Sequence, residues 1–177
     1  KLTLMKTSAD SLKKSADALN DSSLWEKKKI KKKDEKTGEE IEVEDYDWDK
    51  ITKAVKSFVE DYNDVVKEAG ESNTKDVLRN ASWMTGMTDK NSNMLAQIGI
   101  TIGKGNKLEL DEDALKQADI SSLKTVFTGY NSFVSKISQK ATGISNAANR
   151  ASATYTNNGT YSKTDSSLTS SKIDKEV

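Results

Sequence analysis

The sequence has no cysteine, no histidine and no proline, and only nine glycines in 177 residues. Without cysteine or histidine there is no Ser-His or Cys-His pair, no ordinary zinc ligand set and no disulfide. Most hydrolase and metalloenzyme chemistries fall away with them. The lack of proline and scarcity of glycine let helices run on without their usual punctuation. An excess of charge of either sign is also missing, because 28 basic residues balance 28 acidic ones, and no global positive field favours nucleic acid. No apolar run approaches the ~20 residues of a membrane span. The opening stretch KLTLMKTSAD lacks the apolar core of a cleavable signal peptide, and a start on Lys rather than Met is expected of a piece of a longer chain.

What remains is 32% charged and only 34% hydrophobic residues, so the core must be thin, and long amphipathic helices suit that better than a sheet sandwich. Trp48, Ile51, Val55, Phe58, Tyr62, Val65 and Ala69 alternate steps of three and four, which places them on one helical stripe. Leu123, Phe127, Tyr130, Val134, Ile137, Ala141, Ile144, Ala148, Ala151 and Tyr155 form a longer seam of the same kind and predict one long last helix, with Ser121 as its cap. A weaker seam, Met5, Ala9, Leu12, Ala16 and Leu19, covers the start, its alanines implying close helix approach. Together the seams predict a mainly α protein, an elongated bundle or coiled coil of antiparallel helices.

Two small β-hairpins interrupt this pattern, over residues 25–47 and 97–110. In the first, a turn at Glu35 to Gly38 sets Lys33, Lys31 and Lys29 opposite Glu40, Glu42 and Glu44, and Ile30 opposite Val43, so one register satisfies both faces. The basic run KKKIKKK is thereby read as half of a cross-strand charge ladder rather than a nucleic-acid patch. An isolated ribbon is marginal in water, so Trp25, Tyr46 or Trp48 is expected to dock it on the helices. Between Asn73 and Leu95, Gly86 and Asp89 predict two short helices in place of one. Ile98 to Ile102 and Lys107 to Leu110 flank a turn at Gly103 to Asn106, and Asp111 is placed to cap the helix that follows. Residues 1–155 read as a single helical domain, and 156–177, rich in Ser and Thr, as a flexible tail.

Several groups invite chemistry, but plainer roles fit each of them better. Glu109, Asp111, Glu112 and Asp113 lack the glycine and twelfth-position Glu of an EF-hand loop and read as capping and surface charge. The turn GKGNK has neither the spacing nor the following helix of a phosphate-binding loop. Glu60 and Asp61 diverge by about 100° on a helix and do not converge on one substrate. Trp83 and Gly86 form a WxxG spacing, one residue longer than the WxG turn of small secreted helical hairpins, and Trp83 reads as a packing residue. No cofactor, metal or catalytic group is assigned, and the chain is not expected to be an enzyme.

The order of segments carries a further signal. ITKAVKSFVEDYNDVVKEAG, then LAQIGITIGKGNKLELDEDALKQA, then SLKTVFTG resembles the C-terminal region of the flagellar hook-associated protein 2, or filament cap, family. The matching positions are Phe58, Val59, Tyr62 and Asn63; Leu95, Gly99 and Ile100; Gly105, Leu108, Leu110 and Asp111; and Val126, Phe127 and Gly129, within roughly residues 48 to 130. SADSLKKSADALNDSSLW is similar to that family's early helix. Large β-rich outer domains separate the two regions in the family, whereas here only the hairpin of residues 25–47 does. The resemblance implies a non-enzymatic, extracellular subunit of the bacterial flagellum, exported without a cleavable signal peptide, which forms homo-oligomers and works on flagellin or other axial proteins. A secreted helical adhesin or effector and a cytoplasmic helical export adaptor are the alternatives. Within that reading Ile144, Ala148, Ala151 and Tyr155, on an alanine-rich seam, are expected to face a protein partner.

Overall fold

The structure, a computed structural model, describes residues 1–159, with side chains as far as residue 154. The N-terminal seam forms α1 (Leu2–Leu19), and Met5, Ala9, Leu12, Ala16 and Leu19 are all buried. A 3₁₀ turn (Ser22–Trp25) leads into β1 (Lys28–Lys33) and β2 (Glu40–Asp45). The Asp47 carboxylate accepts from the Lys50 N–H and so caps α2 (Trp48–Gly70), meeting an N–H that would otherwise lack a partner. Ile51, Val55, Phe58, Tyr62, Val65 and Ala69 form its buried stripe. Then come α3 (Lys75–Lys90), α4 (Ser92–Ala96), β3 (Ile100–Ile102), β4 (Leu108–Leu110), α5 (Glu112–Gln117), α6 (Ile120–Phe127) and α7 (Phe133–Gly159).

The four long helices close a ring of contacts in the order α1, α2, α3, α7 and back to α1. Cross-links fix their directions. Asp10 and Asp17 on α1 hold Ser145 and Ser138 on α7 at 2.6 and 2.7 Å, so seven residues up one helix match seven down the other. Lys1 Nζ reaches the Glu71 carbonyl at 3.2 Å, between α1 and the end of α2. The Tyr62 hydroxyl donates to Thr88 Oγ1 at 2.8 Å, joining α2 to α3. Each neighbour in the ring therefore runs antiparallel to the next, an up-down-up-down bundle around one core.

The first hairpin has the expected register, with Lys33 opposite Glu40, Lys31 opposite Glu42, Lys29 opposite Glu44 and Ile30 opposite Val43. Its turn closes where the Gly38 N–H meets the Asp34 carbonyl at 2.7 Å, with Gly38 at φ +72°. The ladder differs from expectation in its ion pairs. Among the described residues the hairpin's salt bridge is Lys32 to Asp45, 2.6 Å and diagonal across the sheet, not a directly opposed Lys-Glu pair. Trp25 anchors its base, buried, donating from Nε1 to the Leu19 carbonyl at 2.7 Å.

Three sequence expectations need correction. The long last helix is two helices, α6 and α7, separated at Thr128 to Ser132, and Tyr130, expected on the buried seam, is 85% exposed. Gly129 adopts φ +102°, outside the helical region, and the Asn20 side chain brackets its backbone, accepting from its N–H at 2.9 Å and donating to its carbonyl at 3.3 Å. Ser121 lies inside α6 and bonds Asp119, while the first turn of α7 is met by Ser132, whose Oγ accepts from the Ser135 N–H at 3.1 Å. Finally, two helices do cover Asn73 to Leu95, α3 and α4, but they meet at Asn91, and Gly86 and Asp89, where the break was expected, lie inside α3. The expected tail at 156–177 begins inside α7, which continues to Gly159, and otherwise lies outside the described residues.

Candidate functional site

The residues singled out by the family resemblance gather at two places on the bundle. The first is an aromatic hub. Phe58 meets Phe127 and Phe133 edge-on at 6.5 and 6.3 Å and Tyr62 at 6.2 Å, while Trp25 stacks on Phe127 at 5.6 Å. Edge-to-face and offset pairs of this kind add to the area the rings bury. The hub joins α2, α6, α7 and the base of the first hairpin. Burial pushes the Tyr62 hydroxyl up to about 12, against the opposing hydrogen bond to Thr88.

The second place is the small hairpin. Ile100 pairs with Leu110 and Ile102 with Leu108, with Ile100 and Leu108 buried and Leu110 half-buried against the core. From α2, the Asn63 carboxamide donates to the Leu108 carbonyl at 2.9 Å and accepts from its N–H at 2.7 Å. Gly99, at φ +91°, lets the chain enter β3 where a Cβ would lie 2.7 Å from the Asp111 carbonyl oxygen, and its own carbonyl accepts from the Asp111 N–H at 2.8 Å. Asp111 then caps α5, its side chain accepting from the Ala114 N–H at 3.1 Å, as the sequence predicts.

The positions expected to face a partner are distributed differently. Ile144 and Ala148 are fully buried inside the chain, on the stretch of α7 that packs on α1, because the small side chains of both helices let their axes approach. Ala151 is half-buried, and the Tyr155 side chain lies outside the described residues. Across this seam, hydrogen bonds from Lys6 and then Ser145 hold the Asp10 carboxyl below the ordinary range. Burial pushes Asp17 the other way, but hydrogen bonds from Lys13 and Ser138 outweigh it and the net shift is downward.

Trp83, expected to pack, is instead half exposed on the outer side of α3 with Lys140 Nζ 3.9 Å over its ring. Beside it lies a shallow cavity of about 390 Å³ walled by Gly86, Met87, Lys90 and Lys136. In the acidic run, Glu112 pairs loosely with Lys56 at 3.5 Å, and no group of three or more acidic residues among the described residues could hold a metal ion. Glu60 is exposed whereas Asp61 is half-buried on α2, burial raising its carboxyl against a hydrogen bond from Ser15. The GKGNK segment is a 3₁₀ turn with Gly105 and Asn106 both at positive φ, leading into β4 rather than a helix.

These arrangements hold helices and hairpins in fixed register, which is scaffold chemistry. A family model of the flagellar hook-associated protein 2 C-terminus matches residues 69–176. The chain belongs to that family. The match begins in the last turn of α2, so it takes in Gly99, Ile100, Leu108, Leu110, Asp111, Phe127 and Gly129, while Phe58, Tyr62 and Asn63 lie just before it. The family is a structural one of the flagellum, outside the cell, and no described helix is long and apolar enough to cross a membrane. Neither the curated proteins nor the solved structures contain a significant match.

Sequence reasoning missed the polar clamps. Asp10 and Asp17 stand seven apart on α1, and Ser138 and Ser145 seven apart on α7, the spacing of two facing heptad seams. That regularity was the available signal. Asn20 with Gly129 had none, since the two are separated by 109 positions.

Proposed function

We propose that the chain is a structural assembly subunit of the bacterial flagellum, similar to the filament cap that promotes flagellin polymerisation, and acts outside the cell as a homo-oligomer. The observation that carries this reading is the family match over residues 69–176. The fold suits it: a clamped bundle whose helices cannot slide gives a stiff strut, and assembly proteins must transmit position from one end to the other. The partner-facing end of α7 is then its distal part, Ala151 and Tyr155, at and past the level of the first turn of α1. Deleting the gene and observing filaments by electron microscopy tests the reading. Short or absent filaments, with flagellin lost to the medium and rescue by the full chain, are expected. Filaments of normal length in the deletion strain would overturn it, and lost host-cell attachment in that strain would favour the adhesin.

A further inference from the structure

We infer that the β1–β2 hairpin interlocks copies of this chain, β1 of one copy pairing by its backbone with β2 of the next. Among the described residues the sheet holds two strands, and the outer edge of each is open. Inside it, the Asp34 N–H donates to the Glu39 carbonyl at 2.8 Å. Antiparallel pairs alternate between hydrogen-bonded and non-hydrogen-bonded, so the register directs the N–H groups of Lys28, Ile30 and Lys32 inward. Those of Lys29, Lys31 and Lys33 on β1, and of Glu40, Glu42 and Glu44 on β2, are turned outward. The residues whose backbones face the open edges are therefore all basic on one strand and all acidic on the other.

Lysines on an edge strand ordinarily deter pairing. Here the deterrent is selective, because like charges directly opposite destabilise a ladder and opposite charges support it. A two-fold axis would set lysines against lysines or glutamates against glutamates. Copies in the same orientation instead bring β1 of one to β2 of the next, antiparallel, with Lys facing Glu throughout. That contact is heterologous, and it closes into a ring or runs on as a filament. Steric size decides between them. Each copy adds two strands, about 10 Å of sheet, whereas a four-helix bundle is roughly 20 Å across. The bundles cannot stack in a straight row, so the sheet must curl with the bundles splayed outward, which favours a closed ring with the hairpins at its hub.

This deepens the assembly reading and rests on it for self-association, but its test needs no flagellin, so failure here leaves the filament experiment to judge the wider role. Native mass spectrometry and sedimentation of the full chain at low salt should show one closed oligomer that weakens as salt rises. A chain that remains monomeric at millimolar concentration, a two-fold dimer or an open-ended polymer would each overturn the inference. Lys31→Pro and Glu42→Pro remove only outward N–H groups and should each weaken association by about 10-fold or more, from a few lost edge hydrogen bonds. Because a proline can also disturb the hairpin itself, a second variant exchanges the charges: Lys29, Lys31 and Lys33 to Glu together with Glu40, Glu42 and Glu44 to Lys. It keeps every intrachain pair and should assemble with itself, yet mixed with the wild-type chain it should give two separate homogeneous oligomers. Statistical mixing of the two chains would place the contact elsewhere and sink the proposal.

Discussion

Asn63 on α2 and Leu108 on β4 exchange two hydrogen bonds, the carboxamide standing in for a third strand beside the small hairpin. Each bond contributes about 0.5 to 1.5 kcal/mol net, and an unpartnered buried backbone group costs about 1 to 3 kcal/mol. Asn63→Ala removes both bonds, and it should destabilise the chain by about 1 to 3 kcal/mol in urea unfolding. The loss should be local, with amide exchange at Leu108 quickening far more than in α1. Equal quickening throughout would mean that the hairpin unfolds only with the whole bundle.

Gly99 and Gly86 should respond to alanine with opposite signs. At Gly99 the backbone is at φ +91° and a Cβ would meet the Asp111 carbonyl oxygen at 2.7 Å, so strain and overlap together should cost about 1 to 3 kcal/mol. Gly86 lies inside α3 with helical backbone, and a Cβ there would meet nothing within 4 Å among the described residues. Gly86→Ala should therefore stabilise by about 0.4 to 1 kcal/mol. Thermal unfolding of the two variants settles both signs.

The long seams on α1 and α2 were legible because a strict alternation of three and four has few readings other than a buried helical stripe. The Lys/Glu hairpin was legible because its charges and its apolar residues demand the same register. What failed shows the limit of periodicity. Tyr130 fits the heptad step yet is exposed, since the step counts residues and cannot see that Gly129 leaves the helix under the grip of Asn20. Gly86 reads as a break, but one glycine costs a helix only about 1 kcal/mol, which the packing of Val77, Ala81, Met84 and Thr88 along α3 offsets. Ala148 looks too small to pack and is buried for that reason: its size lets α1 come close, while Ile144, one turn earlier, fills the core as a full-sized side chain.

Acid should loosen the α1–α7 seam. Asp10 and Asp17 have folded-state values below the ordinary 3.8, so the stability they contribute is present above that value and is lost as pH falls through the lower, folded values. Asp61 has the opposite sign. Its folded value is raised by burial, with Asp64 and Glu60 adding to the Ser15-opposed shift, so the folded chain binds that proton more readily and its contribution fades as pH rises through the raised value. Asp61→Asn should therefore raise the melting temperature at pH 7 and lose its advantage towards pH 3. Ser138→Ala with Ser145→Ala should flatten the acid limb of the wild-type profile; an unchanged limb would assign acid sensitivity to other carboxylates.

Two residues of α2 make the sharpest contrast. Phe58 is fully buried at the centre of the aromatic hub, and Phe58→Ala opens a cavity among rings that cannot collapse, so the expected cost is about 3 to 5 kcal/mol. Thr52 sits earlier on the same helix, and its Oγ1 is buried with no hydrogen-bond partner among the described residues. Such an atom has surrendered water for nothing, at a cost of about 1 to 3 kcal/mol. Thr52→Val keeps the shape and removes the hydroxyl, so it should stabilise the fold by about 1 kcal/mol. Equilibrium unfolding of both variants at neutral pH reads the two effects directly. A loss below about 1 kcal/mol for Phe58→Ala would mean that the stripe is a surface kept for a partner, and a loss in Thr52→Val would mean that its hydroxyl holds an ordered water.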